Sequence, residues 1–579
     1  MKTEWNLTHL YKKEEDWYSE KEQVQKRIEE LASPKLENIF TYIDTLKGLL
    51  EQVERLYCYG QRKLDLDAKD KEALWQRTEA LNLYNILQGL QNENSQVIMQ
   101  NREWIVEAIQ KAPYQKYTFY ITEILRKEEH TLDSHQLELS NTLSLLNLNM
   151  KRMYQNVIKK EMQYQNYQDK NGETICVDAS GYARLSKNKD RMVRKEAFML
   201  YAEGLKSRNQ TMAILLDMKL DFHQKMATLA GYQNPLEATL GEDNLPPAMI
   251  SHLCETVNQH LFIAQTYYDL RKQYLQLEEL HLYDTTVALH PNPSLHKNIE
   301  EAIDCIKESL SLLGKDYIEK IEEAMREGYA DVYEKENKRT DSFSAISYVG
   351  VPYFSLNFKG NTTSICTLAH ELGHTIHTMY AKSQPFLYYE YSLFLAEITS
   401  KVNEILVLDY LYEQSPTKED RLAILDAQIQ SFMNSLIGQV KLTEFENALY
   451  TEKSTKKVLS ADEINQIYLE ITKKYHPGLA IDATIQYNWE SVRHLYLYEP
   501  YYFWKYAEGL ALASAIVQKL KENENYAEKY IAFLKVGGSM SPMDALQILE
   551  MHLEESDYIE KAFQMVEQKV LLYKKELES

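Results

Sequence analysis

Along most of the chain, apolar residues return every three or four positions with charges between them, the spacing of a helix with one buried face. From about Glu14 to Gln168 this pattern is almost continuous, and Leu36 to Gln61 and Lys71 to Leu87 carry it most clearly. Asp133-Ser134 predicts a cap before a long helix from His135 onward. Between Gln168 and Ser186 the period fails. There Asn171-Gly172 predicts a turn and Thr174-Ile175-Cys176-Val177 a short strand. The helical pattern resumes at Asp190, runs through Gly231, and returns from Tyr391 to the end. These breaks put a soft boundary near residue 185. A second joint is expected at Leu289 to Ser294, where His290 sits among Pro291, Asn292 and Pro293 and reads as a loop residue, not a ligand.

One stretch departs from the helical period. Between Tyr329 and Phe358, the residues Phe343, Ile346, Tyr348, Val349, Tyr353, Phe354, Leu356 and Phe358 form an aromatic and β-branched run. Gly350 and Pro352 interrupt it, so it predicts a hairpin or an edge strand. An exposed edge can accept an extended peptide through backbone hydrogen bonds, or the strand can simply pack beside the next helix. No period of 20–50 residues repeats.

Composition narrows the class. At 579 residues the chain exceeds one ordinary core, so two or more lobes are expected. Only 18 Gly and 13 Pro punctuate it, which favours a mostly α fold. The net charge of -21 argues against a nucleic-acid binder, which needs a basic footprint, and against an anionic membrane as partner. The five cysteines are odd in number, widely spaced and form no C-x-x-C pair, which fits a reducing, cytoplasmic setting. No apolar segment of signal-peptide type follows Met1-Lys2-Thr3-Glu4-Trp5, and no window of about twenty apolar residues suits a bilayer.

Chemistry concentrates in His370-Glu371-Leu372-Gly373-His374. On a helix, residues four apart share a face, so both imidazoles can reach one ion. Two His that hold Zn²⁺, beside a Glu that acts as general base toward water, make up the zincin arrangement. A third protein ligand is needed. Glu397, in Leu395-Ala396-Glu397-Ile398-Thr399-Ser400, is flanked like a buried side chain, and a buried carboxylate needs a partner or a metal. His377 is its rival, but a third ligand further along one straight helix reaches a tetrahedral site poorly. Glu404, two turns beyond Glu397, is either a hydrogen-bond partner for a ligand His or a solvated charge. Cys366, four residues before His370, reads as a small buried residue.

A second constellation is Arg493-His494-Leu495-Tyr496-Leu497-Tyr498-Glu499-Pro500-Tyr501-Tyr502-Phe503-Trp504-Lys505-Tyr506. His494, Tyr498, Tyr502 and Tyr506 recur every four residues, although Pro500 argues against one unbroken helix. Their donors suit a developing oxyanion, or they form an aromatic core stripe in a chain with 43 Tyr.

With these blocks the chain resembles oligoendopeptidase F, in the metallopeptidase family of thimet oligopeptidase and neurolysin. The carrying residues are Thr367 to His377, Phe394 to Ser400, Trp489 to Tyr506 and Val536-Gly537-Gly538-Ser539. Trp5-Asn6-Leu7-Thr8, Arg184-Leu185-Ser186, Asp190-Arg191, Val193 to Phe198 and Arg208-Asn209 extend the likeness almost end to end. The resemblance implies a two-lobed helical zincin with a deep substrate channel. Residues 1–185 would form one channel wall and residues 186–579 the catalytic domain. It implies one Zn²⁺ on His370, His374 and Glu397, Glu371 as base, oligopeptide substrates, and substrate or oxyanion contacts from His494 and Tyr506, with Tyr498 and Tyr502 beside them. Two departures bear on subsite preference: Asp341 follows Lys338-Arg339 where small residues are common, and Arg493 stands where Pro is commoner. A peptide binder with a vestigial site and an exopeptidase are the rival readings. The intact ligand set and the retained Glu371 weigh against the first, and no charged clamp for a peptide terminus supports the second. The oligomeric state is not legible.

Overall fold

A computed structural model describes residues 2–290 and 296–578. The chain is mostly helical, with one two-stranded and one three-stranded sheet among the described residues. It gathers into two compact units, each assembled from three stretches of chain. The first comprises Met1–Glu129, Leu295–Tyr410 and Ile516–His552. The second comprises His130–Ser294, Leu411–Ala515 and Leu553–Ser579. The joint expected near residue 185 lies inside the second unit, between the helices Ala179–Leu185 and Arg191–Lys206. Of the joint expected at Leu289 to Ser294, Pro291, Asn292, Pro293 and Ser294 lie outside the described residues. His290 itself is buried and bonded to the Tyr573 hydroxyl at 2.7 Å.

In the first unit, the helical period of the N-terminal region becomes a long antiparallel-type pair, Ile39–Leu66 and Lys71–Gln100, joined by a four-residue turn. Leu46, Leu49, Leu50, Val53 and Leu56 are buried along one side of the first helix. Trp17, on the helix Glu14–Glu29, is fully buried and donates its indole N–H to Leu56 O at 3.0 Å. The pair meets closely at Gly60, where a β-carbon would lie 2.7 Å from the backbone N of Arg77.

The aromatic run upstream of the metal motif forms a small mixed sheet of two-residue strands. Phe354–Ser355 lies in the middle, parallel to Ala330–Asp331 and antiparallel to Phe343–Ser344. Phe343–Ser344 is therefore an edge strand paired as a hairpin partner, as the pattern predicts. Gly350, at φ 60°, and the residues around it form the loop that Gly and Pro foretell. The N-terminal segment stitches onto this sheet. Val332 N donates to Thr3 O at 3.0 Å, Trp5 Nε1 to Phe354 O at 2.8 Å and the Tyr353 hydroxyl to Asn6 O at 2.8 Å. Lys338, 6 % exposed, pairs with Asp331 at 2.7 Å and donates to Leu356 O at 2.6 Å, so one buried ammonium ties two strands together.

In the second unit, the break after Gln168 is a hairpin in which Asn166–Gln168 pairs antiparallel with Thr174–Cys176, with Gly172 at φ 83° in the turn. Asp133 caps the helix Ser134–Asn156 by accepting from Gln136 N, and Asp190 caps Arg191–Lys206 by accepting from Met192 N. The helical stretch expected from Tyr391 to the end is a series of helices with a break near its middle. After Tyr475 the chain leaves helix at His476-Pro477-Gly478, where Gly478 sits at φ 82° and Pro lacks a donor. It returns as a 3₁₀ stretch, Ala483–Ser491, a single turn, His494–Leu497, and the helix Trp504–Glu522. Pro500 falls in the gap, as its chemistry requires.

Replacing Gly60 with Val should overpack the first helix pair and cost about 1–3 kcal/mol. A lowered melting temperature checks it, and a wild-type melting curve would show that the pair can part without penalty.

Candidate metal centre

The metal motif lies on one uninterrupted helix, Thr362–Ala381, in the first unit. Asn361 starts it by accepting from Ser364 N at 2.9 Å, which satisfies an otherwise unpaired helix-start donor. Helical spacing then brings His370 and His374 onto one face, with their Nε2 atoms 3.1 Å apart. The helix Leu393–Glu413 supplies Glu397, which is 9 % exposed. One ligand atom from each of His370, His374 and Glu397 lies within 4.8 Å of the others. Two imidazoles and a carboxylate are the donor set of many catalytic zinc sites. A separation of 3.1 Å between two ring nitrogens suits an N–H···N hydrogen bond and equally suits two ligands of one ion, and Glu397 completes the set. The residues therefore fit a divalent metal ion.

Close approach of the two helices makes this convergence possible. A β-carbon on Gly373 would lie 2.8 Å from Ser400 Cα and 3.0 Å from Thr399 O. Glycine here is a packing requirement, because any side chain would drive the Glu397 helix away from the two His. Asn403 locks the contact: its amide donates to Ala369 O at 3.0 Å and accepts from the Tyr317 hydroxyl at 2.9 Å. The start of the Glu397 helix is fixed by the loop Val536–Ser539. Gly538 N donates to Tyr388 O at 2.7 Å, and a β-carbon on Gly538 would lie 2.1 Å from Glu390 O. The edge strand is tied to the helix Thr362–Ala381, which bears the two His, by Ser344 Oγ and Thr375 Oγ1, 3.0 Å apart.

Glu404 is not a solvated charge. Its carboxylate meets His370 Nδ1 at 2.5 Å and Lys401 Nζ at 2.9 and 3.0 Å. This fixes the His370 ring and leaves Nε2 for a ligand role. Burial works against charge on Glu404, but Lys401 and His370 outweigh it and hold the carboxyl down to about 2. Burial also opposes charge on His370, yet the Glu404 hydrogen bond prevails and raises its pKa. Burial, with His370, His377 and Lys401 nearby, pushes His374 well below its ordinary value, so it stays a neutral donor. Burial raises Glu397. Glu371 is 5 % exposed, and its Oε2 has no hydrogen-bond partner among the described residues. Burial, with smaller contributions from Glu397 and Glu404 against His370, lifts its carboxyl to about 7. A cation among these donors pulls carboxylate pKa values back down, since its charge dominates the local field.

His377, the rival third ligand, points elsewhere. Its ring stacks on Tyr391 at 3.7 Å between centroids, and Nδ1 meets Thr399 Oγ1 at 3.1 Å. It packs the helix contact. Cys366 is a free thiol whose pKa burial raises, which makes it a poor thiolate. Lys401 is the residue that sequence reading missed. Its signal was present, since a Lys three residues before Glu404 and four after Glu397 can serve both.

The second constellation lies in the second unit. His494 is its hub. The imidazole stacks on Tyr498 at 4.4 Å, lies 5.5 Å from Tyr502 and meets Tyr506 edge-on at 6.1 Å between ring centroids. All four residues singled out from the sequence thus share one cluster, although the chain between them is not a single helix. Tyr498 is 39 % exposed, so the cluster is no closed core stripe. Burial, and then Arg493, lower the pKa of His494, which favours the neutral ring. Tyr501, at φ 54°, makes the turn at Pro500 and is pinned by Glu446 Oε1 accepting from its N–H at 2.9 Å.

Comparison with known proteins matches residues 184–565 to the model of Peptidase family M3. The chain is 28% identical over 595 residues to the oligopeptidase PepF of Bacillus subtilis (strain 168), covering 98% of this chain and 86% of that one. Among solved structures, a protein from Chlamydophila abortus aligns with a TM-score of 0.89 at 24% identity, over 99% of this chain and 98% of the other. An oligoendopeptidase-F from Enterococcus faecium aligns with a TM-score of 0.71 at 22% identity, over 97% and 98%. These two establish a shared fold.

Glu404→Gln removes the charge that orients His370 and should weaken divalent-metal affinity about 10–100-fold. Competition against a chromogenic chelator measures it, and an unchanged affinity would mean that the His370 ring is held by packing alone.

Proposed function

Because the chain belongs to Peptidase family M3, and is thereby a metallopeptidase acting on peptides, we propose that it is a zinc-dependent oligoendopeptidase cutting internal bonds of short peptides. The observation that carries this reading is the conjunction of a His-His-Glu donor set, its two His half-buried, with Glu371, whose Oε2 has no partner among the described residues. The PepF relative, aligned over 98% of this chain and 86% of its own, supports the oligopeptide substrate class. In this reading His370, His374 and Glu397 hold the ion, and nitrogen with carboxylate oxygen suits zinc. Zinc, when bound, supplies Lewis acidity toward water and the scissile carbonyl.

The chain's own groups perform the remaining work. Glu371 takes a proton from the attacking water and passes it to the leaving amine. A buried carboxylate with a free oxygen is suited to both steps, because nothing else competes for its lone pairs. Glu404 and Lys401 keep His370 oriented and its outer nitrogen engaged. His494 and Tyr506 donate to the developing oxyanion, and Tyr498 and Tyr502 flank the same peptide. The edge strand Phe343–Ser344 offers backbone groups to an extended substrate. Residues 1–185 act as a channel wall and 186–579 as the catalytic part in this proposal. No helix among the described residues is long and apolar enough to cross a membrane.

The decisive experiment pairs metal analysis with a product map from a mixed peptide library. Wild-type protein should carry about one zinc per chain and cut blocked peptides internally, and a chelator should stop it. Glu371→Gln should keep zinc and peptide binding and lose at least about a hundredfold in kcat. Near-normal turnover of zinc-loaded Glu371→Gln protein would remove Glu371 from the mechanism. Products trimmed only from peptide ends would instead favour an exopeptidase, and binding without cleavage would favour a vestigial site.

A further inference from the structure

A cavity of about 540 Å³ lies in the second unit next to the His494 cluster. Its walls include Tyr154, Lys159, Tyr164, Tyr201, Arg493 and Leu497. The short helix His494–Leu497 links it to the cluster. Leu497 N donates to Arg493 O at 2.9 Å, so residues 493 and 497 stand one turn apart and both line the cavity. His494 and Tyr498, also one turn apart, stack on each other in the cluster. Successive helical residues are rotated by about 100°, so the two faces are neighbours. A chain segment lying against His494 therefore has this cavity beside it.

The cavity is cationic in a strongly acidic protein. Arg493 and Lys159 make no ion pair and no side-chain hydrogen bond among the described residues. Asp178 is the acidic residue among the lining groups, and it is engaged: its Oδ1 accepts from Ser180 N at 3.0 Å and Gly181 N at 2.9 Å at a helix start. The remaining titratable walls are tyrosines and Cys176. Against a net charge of -21, two exposed cations, Arg493 and Lys159, outnumber the one carboxylate, Asp178, that lines this recess. A guanidinium binds a carboxylate through two parallel hydrogen bonds, whereas an ammonium adds only a point charge. Tyr154 stacks on Tyr496 at 4.2 Å between centroids, which gives the recess a rigid back wall.

We propose that this recess is a subsite for a carboxylate of the bound peptide, with Arg493 as its specificity-determining residue and Lys159 as a secondary charge. The proposal rests on the oligopeptidase reading and names its substrate class: peptides carrying an Asp or Glu side chain, or a free C-terminal carboxylate, at the position beside His494.

Two peptide series test this and separate the two carboxylate sources. In the first, quenched fluorogenic peptides with amidated C-termini carry a single Glu walked along an uncharged sequence, each matched by a Gln peptide. In the second, peptides without acidic residues differ only in a free or amidated C-terminus. Wild-type protein should prefer the carboxylate-bearing member of one series by about tenfold in kcat/KM. R493Q should abolish that ratio, R493E should shift preference toward a Lys peptide, and K159Q should lower the ratio less. A ratio that survives R493Q, or wild-type indifference in both series, overturns the proposal. If wild-type protein cleaves no peptide, the oligopeptidase reading fails and binding decides the subsite. Calorimetry of the Glu and Gln peptides against wild-type and R493Q protein then applies, with equal affinities overturning it. Equal metal content and melting temperature in the variants exclude misfolding as the cause.

Discussion

The contact between Gly373 and Ser400 sets the geometry of everything around the candidate metal site. Two helices far apart in their tasks, one bearing the imidazoles and one bearing the carboxylates, approach until a single β-carbon would collide with backbone. At that separation Glu397 reaches the His pair and Glu404 reaches the outer face of His370. At the separation of an ordinary leucine-packed pair, about 10 Å between axes, both side chains would fall short. The surrounding locks, Asn403 on Ala369 O and Gly538 on Tyr388 O, are ways of holding that one distance.

Such a site gathers charge where burial penalises it. Three carboxylates, Glu371, Glu397 and Glu404, and one ammonium, Lys401, lie around two imidazoles, and each has a different neighbour. Glu404 is paired twice and stays ionised at a pKa of about 2, while Glu371 has an unpartnered oxygen and rises to about 7. The same residue type thus acquires opposite protonation behaviour at one site, because burial prevails at Glu371 but is outweighed at Glu404 by the Lys401 charge and the His370 hydrogen bond.

In the second unit one helical turn, His494–Leu497, joins the His494 cluster to its neighbouring recess. The residues that make the turn, Pro500 and Tyr501 with its positive φ, break what would otherwise be a regular helix and fold the tyrosines back around the imidazole. A continuous helix would have strung those four rings in a row along one face. The broken one wraps them around a hub.

Local chemistry was legible in the chain. Helices announced themselves through spacing and caps such as Asp133 and Asp190, the turn through Asn171-Gly172, and the metal motif through two His four apart, because these signals act over a few residues. Burial of Glu397 could be read from its apolar flanks for the same reason. Long-range facts could not. Sequence spacing left Glu404 balanced between a solvated charge and a partner of His370, since only the crossing of two helices decides it. By its spacing His377 shares a face with His370 and His374, yet Tyr391 and Thr399 make it a packing residue. Lys401 and the cavity at Arg493 depend on what lies across space from them. The composition of the units also follows contacts between stretches hundreds of residues apart, to which periodicity is blind. Sequence determined which groups could do chemistry, because that depends on residue type and local geometry. Tertiary structure decided which of them meet, because that depends on the close approach of backbones that only glycine at the crossing permits.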